Sequence, residues 1–156
     1  MKKPLVILAL LVWATVIFAG AALVQGGVSS KAIMSVNWQT NLETTPQGIL
    51  FGLRDKNGDM PVGYLVVFQV QAPDGSKYQI NRQVAARSSS FVEVVFPRDF
   101  NAGAGVLKPG PYLGKYLVAG KAVIMEKFNY NPAGGQDGIQ HRQTWWGGSK
   151  KWVNLD

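Results

Sequence analysis

The chain's reactive vocabulary is small. None of its 156 residues is cysteine, so no disulfide, thiolate metal ligand or cysteine nucleophile is available. The one histidine, His141, lies in a glycine-rich stretch near the C-terminus. A single imidazole cannot build a multi-histidine metal site. Ser88-Ser89-Ser90 has neither a base nearby in sequence nor a Gly-x-Ser-x-Gly context, so it reads as a turn. Asp55-Lys56-Asn57-Gly58-Asp59 sets oxygen ligands at alternate positions, as a calcium loop does. Its glycine comes at the fourth position instead of the sixth, and Val66 stands where the bidentate glutamate belongs. A tight turn is therefore the stronger reading of this loop and a weak calcium site the lesser. Glu93 and Glu126 are the carboxylates set within strand-like runs, and they read as single polar positions, not as an acid/base pair. No catalytic residue, cofactor or metal is expected, which leaves binding and structural roles.

The residue types suited to recognition gather at the C-terminal end. The segment 130–156 breaks the strand pattern with repeated glycines, yet carries Trp145, Trp146 and Trp152 among Arg142, Lys150 and Lys151. Tryptophan and arginine are enriched at binding hot spots. Tryptophan beside lysine also suits a membrane interface. These six residues are the candidate partner-binding set. The competing reading is that the tail folds back and its rings cover a sheet edge.

Charge narrows the partners further. The net charge is +7, and Lys2 and Lys3 supply two of those charges. From Lys31 onward 14 basic residues face nine acidic ones, scattered along the chain. That pattern describes a solvated surface with weak attraction for anionic lipid or polysaccharide. It lacks the basic stripe or motif of a nucleic-acid binder.

The elements that would position these residues begin with a membrane-directed segment. Pro4 to Val24 carries no charge and one hydroxyl, behind a basic Met1-Lys2-Lys3 start. About 20 apolar residues span a bilayer as a helix. The lysines keep the start inside, so the rest of the chain is exported. Leu5 to Phe18 followed by Ala19-Gly20-Ala21 also fits a cleavable signal peptide. Residues 1–25 are thus expected to be a signal-anchor, or a signal peptide if cleaved, and 26–31 a short linker.

The remaining residues, about 125, suit one domain. A first strand is expected over Ala32–Trp38 and a second over Gly48–Leu53, closed by the Asp55–Gly58 turn. Tyr64–Gln71 alternates, with Tyr64, Val66, Phe68 and Val70 on one face. Pro73-Asp74-Gly75-Ser76 turns the chain into Lys77–Val84. Phe91–Phe96, Tyr112–Val118 and Lys121–Asn129 follow, the last two as a hairpin over Ala119-Gly120. No capped helical period is evident after Val28. About seven short strands over 32–129 predict an all-β sandwich.

A resemblance supports that fold. Val66–Val70 followed by Pro73-Asp74-Gly75, Phe91-Val92-Glu93-Val94 with Phe96-Pro97, Lys108-Pro109-Gly110-Pro111-Tyr112 and the closing hairpin to Phe128 resemble a bacterial immunoglobulin-like or fibronectin-type domain, and also a macroglobulin-like one. The Cys-Trp-Cys set of antibody domains is absent. The resemblance implies an immunoglobulin-like sandwich in which Tyr112 bonds backbone through its hydroxyl as a structural residue.

Together these features predict a membrane-anchored extracytoplasmic accessory protein that binds a larger membrane complex. The alternative is a secreted subunit of a filament or surface assembly built by strand addition between copies. Sugar binding by exposed tryptophans is a third, less favoured class.

Overall fold

The computed structural model describes residues 28–155. The expected membrane segment at 4–24 lies outside them. Among the described residues no helix is long and apolar enough to cross a membrane.

The chain opens with a one-turn helix, α1 (Ser30–Ser35), where a strand was expected from Ala32. Ser29 caps it: its hydroxyl accepts from the Ala32 amide at 3.1 Å. Ile33 is buried, and its carbonyl accepts from the Trp38 indole at 2.8 Å. Those two local bonds favour a turn of helix over extension.

Nine strands follow: β1 (Trp38–Thr45), β2 (Gly48–Asp55), β3 (Tyr64–Gln71), β4 (Lys77–Val84), β5 (Val92–Pro97), β6 (Gly110–Val118), β7 (Lys121–Tyr130), β8 (Ile139–Trp146) and β9 (Lys151–Asn154). They form two antiparallel sheets, one ordered β1-β2-β5 and the other β4-β3-β6-β7-β8-β9. The all-β expectation holds, and β3 and β4 match their sequence-derived bounds. Tyr64, Val66, Phe68 and Val70 form the buried face of β3, as the alternation requires.

Aromatic rings join the two sheets. Phe51 of β2 meets Tyr116 of β6 at 6.4 Å and Phe128 of β7 at 6.0 Å between centroids. Phe96 of β5 meets Tyr78 of β4 at 5.2 Å and Tyr112 of β6 at 6.1 Å. Gly114 faces Phe51 so closely that a Cβ there would sit 2.9 Å from the ring. The Tyr112 hydroxyl donates to the Lys108 carbonyl at 2.6 Å and accepts from the Lys108 amide at 3.1 Å. Tyr112 thus bonds backbone through its hydroxyl, as the resemblance implied.

Burial also sets an alkaline limit. Desolvation raises the pKa of Tyr64, Tyr112, Tyr116 and Tyr130 above the ordinary 10.0; the charge of Asp55 adds to it at Tyr64 and that of Glu126 at Tyr116. Each phenol therefore keeps its proton to higher pH folded than unfolded. Their contribution to stability is complete below about pH 10 and is lost as pH climbs through the raised folded-state values. An alkaline titration should show phenolate absorbance of these four rising together with loss of circular dichroism. Ionisation well before unfolding would contradict their burial.

Candidate functional site

The segment 130–155, whose glycines break the strand pattern in the sequence, carries two further strands. β8 pairs with β7 and β9 with β8, so the tail extends the larger sheet by two strands. Gly147, one of the glycines that break the strand pattern, is a packing residue. A Cβ there would lie 2.8 Å from both the Ala122 carbonyl and the Met34 sulfur, while its amide donates to the Val123 carbonyl at 2.8 Å. That close seat draws the β8–β9 hairpin against α1 and β7.

The pleat then divides the six candidate residues. Arg142, Thr144 and Trp146 face the interior. Arg142 grips Glu126 side-on, Nε to Oε2 at 2.9 Å and Nη2 to Oε1 at 3.1 Å, and Nη2 reaches Thr40 Oγ1 on β1 at 3.2 Å. Glu126 is fully buried, with Thr144 opposite it in register. Tyr116 Oη and Thr144 Oγ1 are buried with no hydrogen-bond partner in the structure. Arg142, which the sequence placed in the candidate partner-binding set, is thus a clamp between β8, β7 and the other sheet. Glu126, read as a lone polar position, is its partner. Trp146 packs on the core, in keeping with the covering role that the competing reading gave the tail.

Trp145 and Trp152 face outward as a directly opposed pair, Trp145 half-buried and Trp152 exposed. Lys127 Nζ stands 4.1 Å from the centre of the Trp152 ring. Lys150 and Lys151 are exposed beside the turn that enters β9. Beyond Trp152, Val153 and Leu155 are exposed, at 45% and 49%. Sequence reasoning missed Val153, Leu155 and Lys127. The alternation Trp152-x-Asn154 would have shown which side each takes, had the segment been recognised as a strand. β9 is an edge strand, so one side of its backbone is open for pairing. The surface offers apolar contact, cations and strand hydrogen bonds.

The other sequence candidates resolve separately. Asp55 Oδ2 accepts from the Met60 amide at 2.8 Å and the Asp55 carbonyl accepts from the Gly58 amide at 3.1 Å, which makes the Asp55–Asp59 loop a self-closed turn. Asp55 Oδ1 is buried with no partner in the structure. Among the described residues no group of three or more His, Cys, Asp or Glu could hold a metal ion. His141 is exposed at φ 53°, where the β7–β8 register shifts. Comparison with protein-family models, curated proteins and solved structures finds no match for the chain.

Proposed function

We propose that the chain is a non-enzymatic accessory protein with an immunoglobulin-like sandwich, anchored at the cytoplasmic membrane by residues 4–24 and docking a larger membrane complex on its outer side. The observation that carries the reading is the β9 edge: an open strand with Trp152, Val153 and Leu155 exposed and lysines beside it. Soluble domains seldom leave such an edge uncovered without a use for it. The anchor rests on the uncharged run from Pro4 to Val24 behind Lys2 and Lys3.

The test is co-purification from solubilised membranes. Removing 150–156 takes away β9 and leaves β8, with its Arg142 clamp, in place. That truncation, and the pair Trp152→Ala with Val153→Asp, should abolish partner recovery while the melting temperature stays within a few degrees. Undiminished recovery from both variants would end the docking reading. A cut at Gln143 is uninformative, because it removes buried Thr144 and core-packed Trp146 as well.

The same open edge favours one alternative, a secreted subunit that adds strands between copies. Intact mass from washed membranes against the surrounding medium decides. Full-length chain in the membrane supports the anchored form, and a shortened, self-associating product outside it supports the alternative.

A further inference from the structure

We propose that the outer face of the six-stranded sheet binds an acidic polysaccharide, with lysines taking the carboxylates and glutamine amides the sugar hydroxyls. The inference does not require the β9 docking reading, with which it shares Trp152.

The pleat sorts charge between faces in a way that the linear sequence conceals. Across β3, β4, β6, β7, β8 and β9 the single carboxylate is Glu126, and it is buried inward against Arg142. The outward positions carry Lys77, Lys115 and Lys127, which stand far apart in sequence but are brought to one face by the pairings of β4, β3, β6 and β7. In register, one row across the sheet reads Lys77, Gln71, Leu113, Lys127, Gln143, Asn154. The next reads Gln79, Gln69, Lys115, Met125, Trp145, Trp152. The exposed strand carboxylates, Glu43 and Glu93, belong to the smaller sheet.

The surface is also shaped. A trough of about 310 Å³ runs over Gln69, Gln71, Lys77, Gln79 and Lys115. A second, of about 460 Å³, shares Gln71 and Leu113 with it and continues to Lys127 and Gln143. Gln69 Nε2 donates to Gln79 Oε1 at 3.0 Å, which fixes both amides and leaves the Gln69 oxygen and the Gln79 nitrogen as an acceptor and a donor for a ligand. From Lys77 to Lys127 is three inter-strand steps, about 14 Å, enough for several sugar units to meet two cations. Trp145 and Trp152 continue the second row with ring faces suited to stacking.

Other anions fit less well. No arginine takes an outward position on these strands, so the bidentate phosphate grip usual for nucleic acid or phosphopeptide is missing. A bilayer surface is met by lysines around apolar anchors. Here Leu113 and Met125 stand singly within the two rows, and the trough between Lys77 and Lys115 is lined by the amides of Gln69, Gln71 and Gln79, which suit sugar hydroxyls better than acyl chains.

The test uses the full-length chain in detergent, titrated with polygalacturonate, with dextran as the uncharged control and with vesicles containing phosphatidylglycerol. Polygalacturonate should bind and weaken as salt is added, while Lys77→Gln with Lys115→Gln should cost about tenfold or more in affinity. Gln69→Ala with Gln79→Ala should weaken binding several-fold and leave the salt dependence unchanged. Both pairs lie at solvent-facing positions, so an unchanged melting temperature confirms that each variant is folded. Equal binding of dextran, indifference of the lysine pair, or binding to the vesicles without binding to polygalacturonate would overturn the proposal. Partner recovery by the lysine pair should remain at the wild-type level, which separates this result from that of the β9 edge.

Discussion

Arg142→Ala should destabilise the domain by about 3–5 kcal/mol, because it leaves a charged Glu126 buried without compensation. Glu126 has no exposed surface and takes both of its Arg142 bonds from inside the sandwich. The arginine side chain is 25% exposed, so some water reaches the pair and the lower end of that range is the better expectation. Attraction alone does not explain the cost. A buried ion pair is worth little against apolar residues of the same volume, and the penalty arises when one partner is stranded. Glu126→Leu combined with Arg142→Met should therefore recover most of what Arg142→Ala loses. Urea unfolding of Glu126→Leu, Arg142→Met and the double variant, with Arg142→Ala beside them, measures this as a cycle. A loss below about 1 kcal/mol in Arg142→Ala would mean that water already solvates the carboxylate. The same series separates a clamp from a docking residue: partner recovery should fall in Arg142→Ala only as far as folding does.

Phe51→Ala should cost about 3–5 kcal/mol by opening a cavity between the sheets. The ring is 1% exposed and contacts Tyr116 and Phe128 across the sandwich. Gly114 opposite has no side chain with which to refill the space. Collapse of the cavity would need movement of backbone in β2 or β6, both of which are paired on two sides. Phe51→Leu, which keeps most of the volume, should cost less than half as much. Thermal unfolding of the two variants checks the order. Equal losses would show that the aromatic contacts, and not the filled volume, dominate.

What was legible in the sequence follows the strength of each pattern. β3 alternates apolar residues on its inner face, and the turn after it has fixed chemistry, so both strands of that hairpin could be bounded. β1 carries only Trp38 and Leu42 as buried apolar residues, which left most of it unassigned. β8 was hidden because its inward positions are Arg142, Thr144 and Trp146, a set that looks like surface until Glu126 is known to face it. That partner is 16 residues away, and Thr40 is 102 away. Such pairings are products of topology, and local periodicity carries no trace of them. The proposed recognition surface was half visible: aromatic and basic composition pointed to Trp145 and Trp152. Only the pleat separates these from Trp146, and only the register brings Lys127 beside them.

The single-sided attachment of β9 gives the hairpin two separate opening energies. β8 is held by β7, by the Gly147 seat and by the Arg142 clamp, so its amides should exchange with solvent deuterium only through global unfolding. β9 is hydrogen-bonded as a strand to β8 alone along four residues, all exposed, so its amides should exchange through a local peeling that leaves the sandwich intact. A partner strand added to β9 would slow that exchange selectively and leave β8 unchanged. Protection appearing at 151–154 is thus a direct footprint of docking at this edge.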